Sequence, residues 1–442
     1  MVSGFPELLP GQRFVELAVL DRLRSTFELH GFAPLETPAA EPLDTLLRKG
    51  EIDKEVYVLR RLQAGDDASD SGLGLHYDLT VPFARYVLEH AGHLEFPFRR
   101  YQIQKVWRGE RPQQGRYREF TQADIDIVAR DTLPFHHDVE IARVMAEALA
   151  ALDFLPPLTL QVNNRRLIEG FYLGIGAPHV GAVMREIDKL DKVSVDQVRA
   201  LLTGVADLDE GQADVCLRLA EIRSTDTSFV DEVRALGVEH ELLAQGLDEL
   251  AAVIEGAAAI EGVTVEADLR IARGLDYYTG TVFETRMSGW ESLGSICSGG
   301  RYDALASDGR STYPGVGISL GVTRLLMPLF QSGELTGSRA VPSAVLVALP
   351  SEDARAASDD TAQALRRRGI AAEVAATPQK FGKQIRYAER RGIPFVWFPG
   401  AAGAPDEVKD IRSGEQHEAD ATTWTPPESD LRPQVIATKV DR

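Results

Sequence analysis

Cysteine is nearly absent. Cys216 and Cys297 are the only two in 442 residues, far apart and beside no CxxC or Cys/His spacing. That leaves no basis for a disulfide framework or a structural zinc site, and it points to a reducing, cytosolic compartment. No stretch reaches the roughly eighteen uninterrupted apolar residues that a membrane helix needs. The opening MVSGFPELLPGQRF has no basic segment followed by an apolar run, so neither export nor a membrane partner is expected. A GxxxxGK[ST] loop and a strand-linked GxGxxG are both missing, and with them the P-loop and the dinucleotide fold. His76, His90, His93, His136 and His137 show no metal-ligand spacing with a carboxylate or cysteine, so no metal site is expected at them. Positive charge is also scarce. Lys and Arg number 48 against 67 Asp and Glu, a net charge of −19, which argues against a chain that coats itself with nucleic acid.

What basic charge there is lies concentrated. Arg99, Arg100, Lys105, Arg108, Arg111, Arg116 and Arg118 share one segment, with Glu110 the only acid between the first and the last. Most such runs are solvated faces, but Gln, Gly, Pro and aromatic residues interleave these arginines and suit an anion-binding loop. At 44% hydrophobic and 26% charged residues, the chain has material for two or three globular domains.

Apolar positions at helical spacing over about 15–30, ending at Gly31, predict an opening amphipathic helix. From 32 to 88 short apolar runs broken by Pro and Gly predict antiparallel sheet, with 64–74 (AGDDASDSGLG) as an exposed loop joining two strands. In FTQADIDIV, alternation puts Thr121, Ala123, Ile125 and Ile127 on a core face and Gln122, Asp124 and Asp126 on a candidate site face. YQIQKVWRGE is read as the preceding strand, with Gln102, Gln104 and Arg108 on one side and the loop 111–118 closing a hairpin. Residues from about 167 to 256 read as a helical insertion. Strands resume at VTVEADLRIARGLDYYTGTVFETRM, and GVGISLGVTRLLMPLF reads as a strand running into a helix. The boundaries expected are 1–330, a linker over 331–342, and 343–442, where AVLVAL, a helix over 353–368, AAEVAA, KQIRYAERR and PFVWFPG predict a βαβαβ doubly wound sheet.

Guanidinium groups bind phosphate bidentately and stay charged at any relevant pH. With no phosphate loop in the chain, Arg108 and its neighbours are the candidates to hold a triphosphate. FRRYQIQKVWRGERPQQGRYREFTQADIDIV resembles motif 2 of the class II aminoacyl-tRNA synthetases, GVGISLGVTRL resembles motif 3, and LETPAAEPLD resembles motif 1 around Pro38. RGLDYYTGTVFE from Arg273 and CSGGRYD from Cys297 are similar to stretches peculiar to the histidyl members. By chemistry alone, adjacent tyrosines in a strand serve packing more often than a site.

The resemblance implies an α+β class II core, an antiparallel sheet flanked by helices, with a helical insertion and a C-terminal α/β anticodon-binding domain. It implies ATP-dependent ligation of L-histidine to tRNA(His) through a histidyl-adenylate, with Mg²⁺ accompanying ATP and a homodimer formed through motif 1. Arg108, Arg116 and Arg324 would hold ATP, with Phe120 stacking on adenine and Glu110 nearby. Asp78, Thr80 and Gln122 would hold the substrate ammonium, and Asp126, Tyr278 and Tyr302 would surround the imidazole. Arg273 would hold the attacking carboxylate, making it, with Arg108 and Gln122, part of the catalytic set. On the resemblance, Lys380, Lys383, Arg386 and Arg390 would meet tRNA; from the residues themselves a solvated basic helix fits nearly as well. The main competing reading is a non-catalytic, synthetase-like regulator of histidine biosynthesis. Such relatives usually lack the anticodon-binding domain and have eroded ATP arginines or RGLDYY-type segments, whereas all of these stand intact here.

Overall fold

The computed structural model describes residues 2–47, 55–62, 72–271, 278–304, 306–307, 309–400 and 404–438. The chain divides into two compact units: Met1–Pro6 with Leu20–Pro328 form one, and Glu7–Val19 with the chain from Leu329 onward the other.

The first unit is built on a nine-stranded sheet. Its strands in chain order are β1 (Ala33–Pro34), β2 (Phe98–Trp107), β3 (Glu119–Val128), β4 (Leu158–Asn164), β5 (Arg223–Ser224), β6 (Thr264–Asp268), β7 (Thr281–Met287), β8 (Cys297–Tyr302) and β9 (Gly315–Gly321). Across the sheet they run β1-β2-β3-β9-β8-β7-β4-β6-β5. The run from β2 to β4 is antiparallel throughout, as alternation in β3 predicts, but β1 lies parallel to β2.

Helix α1 (Pro10–Leu29) buries Leu20, Leu23 and Phe27 of the expected stripe together with Val15 and Val19, whereas Leu17, also expected on it, is exposed; the helix ends at Gly31 in the left-handed region at φ +76°, where glycine has no Cβ to clash. The stretch expected to be sheet up to residue 88 instead holds helix α2 (Thr80–His90). Val81, Ala84 and Val87 are buried at helical spacing. Pro82 sits in the first turn, where a missing N–H costs nothing, and Asp78 Oδ1 accepts from Val81 N at 3.0 Å. The proline that looked like a strand break is a helix start. Short strands Ala40–Pro42, Val58–Leu59 and Leu73–Leu75 form a small antiparallel sheet. The end of the predicted exposed loop is therefore strand, and its residues 64–71 lie outside those described.

Helices α3 (His136–Ala150), α4 (Arg165–Gly174) and α5 (Glu241–Ala257) follow. Between α4 and α5 come Val180–Ile187, Val195–Gly204, Glu210–Glu221 and Phe229–Arg234, two of them opened by capping boxes, Ser194 with Gln197 and Asp209 with Gln212. This helical segment is tied to the sheet, since β5 pairs with β6 at the edge. Helices α4 and α5 cross on glycine: a Cβ on Gly246 would stand 2.2 Å from Leu167 N, and one on Gly170 2.2 Å from Leu243 N. Gly246→Ala must push backbones apart, and it is expected to lower stability by about 1–3 kcal/mol, read from the urea midpoint. Gly204→Ala, with nothing within 4 Å of its Cβ, serves as the neutral control. Strand β9 runs into helix α6 (Val322–Ser332) as its sequence predicts.

In the second unit β10 (Val345–Val347), β11 (Ala372–Val374) and β12 (Phe395–Phe398) are parallel in the order β11-β10-β12, extended by the antiparallel pair β13 (Glu407–Asp410) and β14 (Gln416–Glu418). Helices α7 (Arg355–Arg367) and α8 (Phe381–Arg391) cover opposite faces. Val345 and Val347 pack with Ala362 and Leu365, while Leu346 packs with Ala388 and Ile393. Alternation along a three-residue strand thus feeds two apolar layers, the predicted βαβαβ arrangement.

Candidate active site

Strands β3, β9 and β8 place two adjoining cavities on one face of the large sheet. The larger, of about 380 Å³, is lined by Arg108, Glu110, Arg116, Phe120 and Arg324 among others. The smaller, of about 80 Å³, is lined by Asp78, Thr80, Asp124, Asp126 and Tyr302 among others. Arg108, Gln122, Tyr278, Ser298, Gly299 and Ser319 border both, so the two are one site with two chambers.

Arg108 follows β2 directly and keeps the hairpin ladder going, its N–H donating to Arg118 O at 2.9 Å. Its Nε donates to Tyr77 O at 3.0 Å and its guanidinium lies 5.1 Å over the Phe120 ring. Glu110 stands 4.0 Å from Arg108 and 3.3 Å from Arg116. Arg324 enters from the first turn of α6 and donates to Leu293 O. The larger chamber thus gathers three guanidinium groups, an arrangement suited to a polyphosphate.

Four of the other basic residues of the segment spend their charge elsewhere. Arg99 pairs with Glu140, Lys105 with Glu119, and Arg118 donates to Glu110 O at 3.2 Å. Arg100 is fully buried, 2.7 Å from Asp126 and 4.3 Å from the Phe83 ring. Sequence proximity had grouped side chains that the pleat sends in different directions.

In the smaller chamber Tyr302 Oη donates to Asp126 Oδ1 at 2.7 Å, with both groups buried. Asp126 therefore has one oxygen on a phenol and the other on a guanidinium, the pinned acceptor that an imidazole N–H requires. The floor is backbone. A Cβ on Gly317 would stand 2.1 Å from Asp126 Oδ1, one on Gly315 2.5 Å from the Tyr302 ring, and one on Gly299 2.1 Å from Gly317 O. Asp78 and Thr80 line this chamber from the head of α2. Tyr278 precedes β7 and does not lie in a strand, so the expected tyrosine pair is not a strand pair; its ring packs 2.9 Å from where a Gly300 Cβ would be. Tyr277 and Arg273 lie outside the described residues.

Strand alternation put Asp124 on the site face without assigning it a role, and Ser319 had no signal of its own. Ser319 Oγ donates to Asp124 Oδ1 and accepts from Gln122 Nε2 at 2.6 Å. Burial pushes the Asp124 carboxyl up to about 7 against the pull of Arg100, with Asp126 adding to the rise. The β3 alternation already held the signal, placing Asp124 between Gln122 and Asp126 on the polar face. Burial pushes the Cys216 thiol up to about 12 and raises that of Cys297 as well, so neither is a ready thiolate.

In the second unit a cavity of about 570 Å³ lies beside α8, lined by Lys383, Arg386, Tyr387 and Arg390. Lys380 is exposed at the head of that helix.

A family model described as histidyl-tRNA synthetase matches residues 4–325, and one described as an anticodon binding domain matches residues 344–421. The histidine–tRNA ligase of Cutibacterium acnes is 60% identical over 99% of this chain and 98% of its own length. That of Micrococcus luteus is 58% identical over 98% of each. The crystal structure of a Nostoc histidyl-tRNA synthetase matches with a TM-score of 0.85 at 34% identity, over 95% of this chain and 96% of its own. With motif 2 forming the β2–β3 hairpin and motif 3 forming β9 and α6, the chain belongs to the histidyl-tRNA synthetase family.

Proposed function

We infer that this protein ligates L-histidine to tRNA(His), consuming ATP and passing through histidyl-adenylate. The observation that carries the reading is the shared wall of the two chambers. A group held against Asp126 and Tyr302 lies beside Gln122 and Arg108, next to the space that Arg108, Arg116 and Arg324 make positive. An amino acid and a triphosphate seated there meet end to end.

The histidine carboxylate attacks the α-phosphorus and pyrophosphate departs; a terminal ribose hydroxyl of the tRNA then attacks the activated carbonyl. Negative charge builds on phosphoryl oxygens in the first step, and guanidinium groups already fixed by Tyr77 O and Leu293 O stabilise it without reorganising. The remaining gain is positioning of the two reactants. No protein nucleophile is needed, and among the described residues no cysteine lines either chamber. Phe120, under the Arg108 guanidinium, offers a face for adenine. Arg273 would hold the carboxylate, a role that rests on family resemblance.

Mg²⁺ would arrive on the triphosphate. Among the described residues no group of three His, Cys, Asp or Glu side chains could hold a metal, but a phosphate-borne Mg²⁺ needs only one or two protein carboxylates. Glu110 and Glu284 line the larger chamber and are of the right kind. The segment 343–442 would take the anticodon end of the tRNA, with Lys380, Lys383, Arg386 and Arg390 meeting backbone phosphates, while 1–330 forms the catalytic domain. A homodimer working in the cytoplasm completes the reading. No described helix is long and apolar enough to cross a membrane.

Pyrophosphate exchange measured with each amino acid in turn tests this directly. Exchange with histidine alone is expected. A folded sample that exchanges another amino acid, or none, removes the assignment.

A further inference from the structure

Three side chains beside the smaller chamber form a directional chain. A hydroxyl has one proton to give, and Ser319 Oγ gives it to Asp124 Oδ1. Its lone pairs are then left to accept, and Gln122 Nε2 donates to it at 2.6 Å. That fixes which end of the Gln122 amide faces Ser319, and so which end faces away. The far end, Oε1, is buried and has no hydrogen-bond partner among the described residues, on a residue that borders both chambers. A buried carbonyl oxygen left unmet is costly unless a ligand supplies the donor.

We propose that Asp124, acting through the Ser319 hydroxyl, is a positioning residue that turns the Gln122 carbonyl toward the α-ammonium of the bound amino acid. The proposal rests on the histidine-activating reading above and deepens it. Asp124 lines the smaller chamber, and the role proposed for it is exerted through the amide. It selects between two orientations of an amide whose ends are nearly identical in shape and opposite in polarity: with the carbonyl inward the ammonium is bound, and with the NH₂ inward it is repelled.

The chain works in this sense only while Asp124 is an acceptor. Arg100 on β2 favours the carboxylate; burial, Asp126 on its own strand and Asp78 at the head of α2 oppose it. The buried Cys297 thiol on β8 also feels this carboxylate, and Ser319 on β9 donates to it. The balance puts the midpoint at about 7. Above it the carboxylate accepts from Ser319. Below it the acid proton competes to donate to Ser319 Oγ, which frees the hydroxyl proton to turn toward Gln122 and allows the amide to flip. Ammonium recognition is therefore gained as pH rises through about 7 and lost as it falls.

The test compares dissociation constants for histidine and for imidazolepropionate, which keeps the imidazole and carboxylate but lacks the ammonium. Wild-type protein is expected to prefer histidine, more strongly at about pH 8 than at about pH 6. Ser319→Ala and Asp124→Asn, the second a mimic of the protonated acid, are expected to lose about ten-fold of that preference at the higher pH. Imidazolepropionate should bind all three proteins alike, the preference of Asp124→Asn should not change with pH, and Ser319→Thr should restore it. Equal weakening of both ligands would mean only a damaged pocket, and an unchanged preference would mean an idle Asp124; either overturns the proposal. Wild-type protein that does not bind histidine takes the functional reading down as well, so the two failures are told apart by the wild-type arm.

Discussion

Histidine-dependent pyrophosphate exchange is expected to fall by on the order of 10²–10³-fold when Arg108 is replaced by Ala. The guanidinium is held from two sides, by the Tyr77 carbonyl at 3.0 Å and the Phe120 ring at 5.1 Å, so its charge is already in place when the phosphoryl oxygens become more negative. Alanine removes a bidentate, charge-assisted contact and unsettles the aromatic beneath it. Lysine keeps the charge but not the fork, and should recover only part of the rate. The loss should fall on kcat/KM with the unfolding midpoint nearly unchanged, since Arg108 is partly exposed and its nearest carboxylate is 4.0 Å away. Arg99→Ala is the control: it belongs to the same basic segment but spends its charge on Glu140. Equal rates in Arg108→Ala and wild type would refute the phosphate role.

Asp126→Ala should fail differently, by unfolding. Arg100 is fully buried with Asp126 at 2.7 Å, and removing one member of such a pair leaves a charge in a poor solvent at a cost of about 3–5 kcal/mol. The Tyr302 hydroxyl loses its acceptor in the same stroke. Urea denaturation reads the loss. A double variant, Arg100→Met with Asp126→Leu, separates fold from function: it should regain most of the stability and none of the histidine exchange. If Asp126→Ala keeps wild-type stability, the carboxylate does not hold Arg100 in place. If the double variant exchanges histidine, the imidazole is recognised elsewhere.

That carboxylate also marks how far the sequence could be read. Alternation of two is enough to put Gln122, Asp124 and Asp126 on one face of β3, and it did so correctly. Glycine-punctuated β9 running into α6 was equally legible, because a change from period two to period 3.6 is a local signal. Arg100 was not. Its partner is fixed by cross-strand register, where it lies opposite Asp126, and a list of nearby arginines carries no register. The parallel pairing of β1 fails for the same reason: two residues hold no pattern, and their neighbour is set by the rest of the sheet. Helix α2 was missed because Pro82 was weighed as a breaker before its position in a first turn could be known. Arg324 and Tyr302 emerged from motif resemblance rather than periodicity, and the structure gathers them with Arg108 and Gln122 around one site.

The glycines at 299, 300 and 317 give one side of the amino-acid chamber a wall of main chain. A cavity bounded by side chains can adapt to a larger guest by rotating one of them into another staggered well. Main chain in the middle of a nine-stranded sheet has no such well. It can retreat only if neighbouring strands retreat with it, breaking ladder hydrogen bonds on both sides. On that side of the chamber size discrimination is therefore inherited from the stiffness of the whole sheet, and only the walls made by side chains such as Thr80 and Tyr302 can be trimmed by mutation.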